Sequence, residues 1–249
     1  MLELNNVYKY FSGVKAVDGL SFFIKAGELV GLIGPNGAGK TTVLNLISGM
    51  LKPDKGKILF NSKDITGKSI QDIAKLGLTR TFQQNMLFNE LTCQEHVRLS
   101  SYLFEKRGIL QSALSLGNNT QKEEDYFKRI NEIIDFMGIE KYSSVIADSL
   151  PQGIKRTLGV TMAYSMNPKF LLLDEPAAGM SFQEIDNLKL LINRLIQKNI
   201  SILLVEHNVK LIMDICKRII VVSNGKLIAQ GTPSQVLNNQ IVIKNYLGE

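Results

Sequence analysis

The 249-residue chain is 45% hydrophobic and carries 29 Lys and Arg against 23 Asp and Glu, a formal charge of +6, which suits one buried core or a core with a smaller insertion. No apolar run approaches the roughly 18 residues that cross a bilayer, so no membrane-spanning helix is expected, and the opening MLELNNVYKYF reads as a strand and turn instead of a secretory leader. The positive excess calls for an anionic partner, yet Lys52, Lys55, Lys57, Lys217 and Arg218 are scattered, with no basic run and no Trp, so a solvated surface is expected in place of a nucleic-acid interface.

In chain order, Leu2 to Val7 and Leu20 to Ile24 predict strands, Glu28 to Ile33 a third running into a Gly-rich loop, and Lys40 to Ser48 a helix. Residues 84–166 differ. There Phe127, Ile130, Ile134 and Met137 keep helical spacing while Ser112 to Gln121 is polar and loop-like. This predicts a helical subdomain inserted into a core made of residues 1–83 and 167–249. Phe170 to Leu173, a helix from Glu184 to Gln197, and Ser201 to Val205 then resume the strand and helix alternation, the pattern of parallel strands covered by helices and hence of an α/β fold. Asn224-Gly225 between two apolar runs predicts a closing hairpin. Cys93 and Cys216 lack a CxxC spacing or a nearby His pair and are expected as reduced thiols, not metal ligands.

Three segments carry chemistry. Gly34-Pro35-Asn36-Gly37-Ala38-Gly39-Lys40-Thr41 follows an apolar strand and opens a helix, the context in which GxxxxGK[ST] cradles phosphates. Glycines let backbone N–H groups turn inward on an anion that also meets the positive end of the helix. Lys40 is expected to neutralise the terminal phosphates, and Thr41 to offer its hydroxyl to Mg²⁺, which takes oxygen ligands. Leu171-Leu172-Leu173-Asp174-Glu175-Pro176 ends a strand in two carboxylates. Asp174 is expected in the Mg²⁺ shell and Glu175 on the water that attacks the γ-phosphate. Ser201 to Glu206 delivers His207 to the same sheet edge, within reach of a γ-phosphate. His96 is read as a surface residue capping a turn.

In this order the motifs resemble the ATP-binding subunits of ABC transporters over essentially the whole chain. Arg80-Thr81-Phe82-Gln83, Asp174 to Gly179, and the closing Tyr246-Leu247-Gly248-Glu249 are similar to the branched-chain amino-acid importer group. The lipopolysaccharide-export ATPase resembles the tail and Glu206-His207-Asn208 about as well. The resemblance implies a P-loop ATPase core with an antiparallel β subdomain and a helical insert. It also implies ATP and Mg²⁺ as ligands, with Thr42 in the nucleotide site, Gln83 reaching the metal and attacking water, and Phe11 stacking on adenine, with Tyr10 as its fallback. Permease subunits and a second ATP-binding subunit are the implied partners, and the cytoplasmic face of the membrane the implied location.

The signature segment departs from the family pattern. Leu150-Pro151-Gln152-Gly153-Ile154 stands where the family carries Leu-Ser-Gly-Gly-Gln. By resemblance this segment closes over the nucleotide of the opposite subunit, with Gly153 its surviving anion contact. Gly159 and Met162 replace the Glu and Arg that usually follow, and Met180-Ser181 lacks the usual acidic residue at the dimer contact. A heterodimer is therefore expected ahead of a homodimer. Two rival readings are weaker. A soluble ABC protein of translation or DNA repair would carry two cassettes or coiled-coil inserts, and a low-turnover regulatory subunit would not need Glu175 and His207 intact.

Overall fold

Alternate side chains of the first strands point inward. Leu2 and Leu4 on β1 (Leu2–Phe11) and Leu20, Phe22 and Ile24 on β2 (Val14–Ile24) are buried, whereas Glu3 and Phe23 face out, the pattern of an antiparallel sheet with one wet face. The structure, a computed structural model, describes residues 1–81, 87–104 and 119–244. Strand β1 also pairs antiparallel with β4 (Lys55–Phe60), and β4 with β5 (Lys63–Asp64), giving a sheet ordered β2-β1-β4-β5.

The second sheet is drawn from distant parts of the chain. Its order is β10 (Lys226–Gly231), β9 (Arg218–Ser223), β3 (Leu29–Ile33), β8 (Ser201–Val205), β7 (Phe170–Asp174), β6 (Leu78–Arg80). All neighbours are parallel except the β9–β10 hairpin. Every residue of β3, β7 and β8 is buried, as expected when both faces are covered. Odd and even positions serve different cores. Val30, Leu32, Leu172 and Leu203 join α1 (Lys40–Ile47), which supplies Val43, Leu44 and Ile47, and the buried face of the antiparallel sheet. Ile33, Leu171, Leu173 and Leu204 join helices on the opposite face.

Helix α2 (Ile70–Lys75) precedes β6, and between β6 and β7 the chain forms α3 (Cys93–Phe104), α4 (Asn119–Met137) and α5 (Gln152–Ser165), with α5 packed against both α3 and α4. The expected polar loop needs correction at its end, because Asn119 to Gln121 already belong to α4, while residues 112–118 lie outside the described residues. Of the four helical positions, Ile130, Ile134 and Met137 are buried, whereas Phe127 is exposed. Its ring takes the Arg98 guanidinium at 4.4 Å instead, a contact that favours an aromatic at the wet rim of a core. After β7 come α6 (Phe182–Gln197), α7 (Val209–Ile215) and the short α8 (Pro233–Leu237). Asn224 and Gly225 both take positive φ, 48° and 75°, the conformation that a two-residue hairpin turn requires. The turn is tied to the phosphate loop by Gly225 N–H donating to Ala38 O at 3.0 Å.

Candidate functional site

Gly34 to Gly39 carry the chain from β3 into α1, and the packing explains the glycines. Gly37 and Gly39 sit at φ 77° and 99°, left-handed values that cost other residues energy. A Cβ on Gly39 would strike the Ala16 carbonyl oxygen, and one on Gly34 the Val222 carbonyl oxygen. The loop is thus pressed between β2 and β9. Lys40, 7% exposed, donates from Nζ to Gly34 O at 2.7 Å and Pro35 O at 3.1 Å. Burial lowers the pKa of its ammonium, opposed by the Glu175 and Asp174 carboxylates. Residues 36–42 line one wall of an open cleft of about 600 Å³, and Glu175 and His207 line it too, a size suited to a small ligand.

Strand β7 delivers the two carboxylates to different environments. Glu175 has φ 48°, a conformation uncommon outside glycine that clusters at functional sites. Its N–H donates to Val205 O at 2.9 Å, and its Oε1 lies 2.8 Å from His207 Nε2. Asp174 is buried. Its Oδ2 accepts from Arg80 Nη2 at 2.8 Å and its N–H donates to Thr81 Oγ1 at 3.2 Å, but its Oδ1 has no hydrogen-bond partner among the described residues. Burial pushes its carboxyl pKa up, with Arg80 pulling the other way. The buried carboxylate oxygen of Asp174, without a donor, and the hydroxyl of the exposed Thr41, which lines the cleft, are oxygen ligands of the kind Mg²⁺ selects. These residues fit the metal.

His207 is fixed from behind. Glu206, 3% exposed, accepts from Ala177 N–H at 2.6 Å and His207 N–H at 3.2 Å. Burial raises the pKa of its carboxyl against those backbone bonds. It joins the end of β8 to the segment after Glu175, so the two cleft side chains share one scaffold.

Other expected residues lie elsewhere. Phe11 is exposed at the tip of the β1–β2 hairpin, with Lys9 Nζ 5.6 Å from its ring centroid. It does not line the cleft, although Val14, its partner across the turn, does. Gln83 lies outside the described residues. Gly153 is in the first turn of α5, away from this cleft, and a Cβ there would strike the Glu184 carboxylate at the start of α6. Pro151 is the residue before that helix. His96 is not on the surface. It is fully buried, with Nε2 accepting from Phe88 N–H at 2.9 Å and Nδ1 2.8 Å from Thr92 O, so it pins the turn from inside. Cys93 and Cys216 are buried thiols pushed up to about 11 and about 12 by burial, which leaves them inert.

Sequence reasoning passed over Arg80 as a site residue, along with Glu206, Lys15, Asp18 and Lys226. Lys226 Nζ and Asp18 Oδ2 are 3.3 Å apart at the cleft. The available signal was a charge closing an apolar strand, as at Arg80 and Glu206. Lys15 and Asp18 pair locally on β2 at 3.8 Å, and Lys226 joins them only when the two sheets assemble.

A profile of the ABC transporter family matches residues 17–178, and one described as "Branched-chain amino acid ATP-binding cassette transporter" matches residues 226–249. The chain is 37% identical to the high-affinity branched-chain amino acid transport ATP-binding protein LivG of Escherichia coli (strain K12), covering 100% of this chain and 98% of the relative. It is 32% identical to the lipopolysaccharide export system ATP-binding protein LptB of Haemophilus influenzae, again over 100% and 98%. A crystal structure of a nucleotide-free ATP-binding cassette from an ABC transporter superposes with a TM-score of 0.87 at 30% identity, covering 100% of this chain and 99% of that one.

Proposed function

Because the chain belongs to the ABC transporter family as an ATPase subunit, we propose that its cleft hydrolyses MgATP to drive import of branched-chain amino acids. The observation that carries the catalytic reading is the convergence of the phosphate loop, Glu175 and His207 on one cleft. The cargo is supported by the match of residues 226–249 and by 37% identity to LivG over the full chain. ABC ATPase subunits work with membrane-spanning permeases. This chain works with them from the cytoplasmic face, the side on which ATP is available; no helix among its described residues is long and apolar enough to cross a membrane.

In this reading the N–H groups of residues 36–42 and the Lys40 ammonium bind the phosphates. Thr41 and the free oxygen of Asp174, with Gln83, would hold Mg²⁺, which would supply positive charge against the phosphates. Glu175 Oε1 orients the attacking water and takes its proton, while His207, hydrogen-bonded to the same oxygen, contacts the γ-phosphate and keeps the carboxylate aimed. Phe11 or Tyr10 supports the adenine. Residues 84–166 form the helical insert that swings against the core, and Gly153 at its signature helix faces the nucleotide of a second subunit. A heterodimer fits the eroded signature best.

Phosphate release by the purified chain, with and without the ATPase subunit that co-purifies with it, tests this. Activity that rises with the partner and vanishes in Glu175→Gln supports the composite motor. ATP binding without phosphate release in any combination would refute hydrolysis at this cleft. Uptake of leucine by the reconstituted transporter tests the cargo.

A further inference from the structure

Arg80 closes β6, the edge strand of the parallel sheet, opposite Leu172 of β7. Its side chain is 6% exposed and that of its partner Asp174 1%. Buried ion pairs seldom repay their desolvation, so they are weak devices for stability alone. The geometry is more informative than the charge. Nη2 donates to Asp174 Oδ2 at 2.8 Å, while Nη1 donates to Asn45 Oδ1 at 2.6 Å and reaches Ser48 Oγ at 3.3 Å. Asn45 lies within α1 and Ser48 caps its end. One planar group thus ties the acidic end of β7 to the helix that follows the phosphate loop.

Asp174 is held at two points, by Arg80 on Oδ2 and by Thr81 on its backbone N–H. Its second oxygen is buried and accepts nothing among the described residues. We propose that Arg80 is a positioning residue for metal binding, clamping one oxygen of Asp174 so that the other is presented, in fixed register with α1, as a ligand for Mg²⁺. This rests on reading the cleft as a MgATP site. A guanidinium fork can serve three partners at once, whereas an ammonium on a flexible stem cannot reproduce that register, so charge and geometry are separable by substitution.

The test measures metal binding directly in the full chain. Binding of Mn²⁺ is followed by electron paramagnetic resonance in the presence of ATP, and ATP affinity is measured in EDTA, for wild type, Arg80→Met, Arg80→Lys, Asp174→Asn and the Arg80→Met/Asp174→Asn double variant. Arg80→Met is expected to raise the Mn²⁺ concentration at half-saturation about tenfold or more, as loss of a residue that orients a metal ligand does, with ATP affinity in EDTA near wild type. Arg80→Lys recovers only part, and Arg80→Met adds nothing once Asp174 is Asn. If Arg80→Met does not fold, Arg80→Lys and the double variant, which leaves no unpaired buried charge, carry the same comparison. Unchanged or tighter Mn²⁺ binding, or equal losses with and without metal, would overturn Arg80's role alone. A wild-type chain that binds no ATP would overturn the reading of the cleft and this inference with it.

Discussion

Glu175 combines two demands that pull its sequence identity in different directions. Its backbone at φ 48° favours glycine, while its side chain, 2.8 Å from His207 Nε2, must be a carboxylate if it is to take a proton in the proposed reaction. Substitutions separate them. Glu175→Gln keeps size and hydrogen-bonding reach but cannot accept a proton, so phosphate release should fall by about 10²–10⁴-fold while nucleotide binding survives in an equilibrium assay. Glu175→Gly should be more stable than Glu175→Ala by about 1 kcal/mol, because only the glycine relieves the left-handed strain. Equal melting temperatures for those two variants would show that the conformation carries no cost. At this scale the sequence was readable wherever a motif spaces its residues locally, as in Gly34 to Thr41 or Asp174-Glu175. Arg80 was not readable as a partner of Asp174, because their contact depends on the β6–β7 register, which no local pattern encodes.

Elements were legible where one periodicity governs a segment. Strands β3, β7 and β8, the Asn-Gly hairpin and α6 all follow their sequence signals, while the start of α4 at Asn119 does not, since a polar run without apolar periodicity reads as loop. The start of α6 is set by a capping box. Ser181 Oγ accepts from Glu184 N–H and Glu184 Oε2 accepts from Ser181 N–H at 2.8 Å. Ser181→Ala should cost about 1 kcal/mol, read as a lower melting temperature with ATP affinity intact. Strand β9 is fastened to the turn before β3 by Arg218, whose Nε and Nη2 donate to Glu28 Oε1 and Oε2 at 2.7 and 2.9 Å. Burial raises the Glu28 carboxyl, but Arg218 and the Lys25 N–H outweigh it and its pKa is lowered from 4.5. The folded value lies below the unfolded one, so this stabilisation is complete above about pH 4.5 and fades as pH falls through the lowered value. Unfolding free energies of wild type and Glu28→Gln from denaturant titration should differ by about 1–2 kcal/mol at pH 7 and converge in acid. A gap independent of pH would mean that the carboxylate's charge is not what holds the turn.

Across the whole molecule, the phosphate loop, Glu175 and His207 share one cleft, whereas Gly153 stands apart beside Glu184. In the proposed dimer such a segment would serve another subunit's cleft, and here Leu150 to Ile154 lacks the Ser, one Gly and the Gln of the family pattern. Pro151→Ser, Gln152→Gly and Ile154→Gln introduced together should raise phosphate release by the chain without its partner about tenfold or more, as restored donors to a transition-state anion do. No change would remove the case for asymmetry. The strand order of the parallel sheet has a consequence for how this protein is made. Strand β3 leaves the ribosome with both hydrogen-bonding edges bare, because its neighbours β8 and β9 span residues 201–223. Such non-local pairing folds slowly and leaves unpaired edges exposed to aggregation. Nascent chains that stall before Ser223 therefore carry every residue of the phosphate loop and still have no nucleotide site, so ATP rescues only chains that have grown past β9.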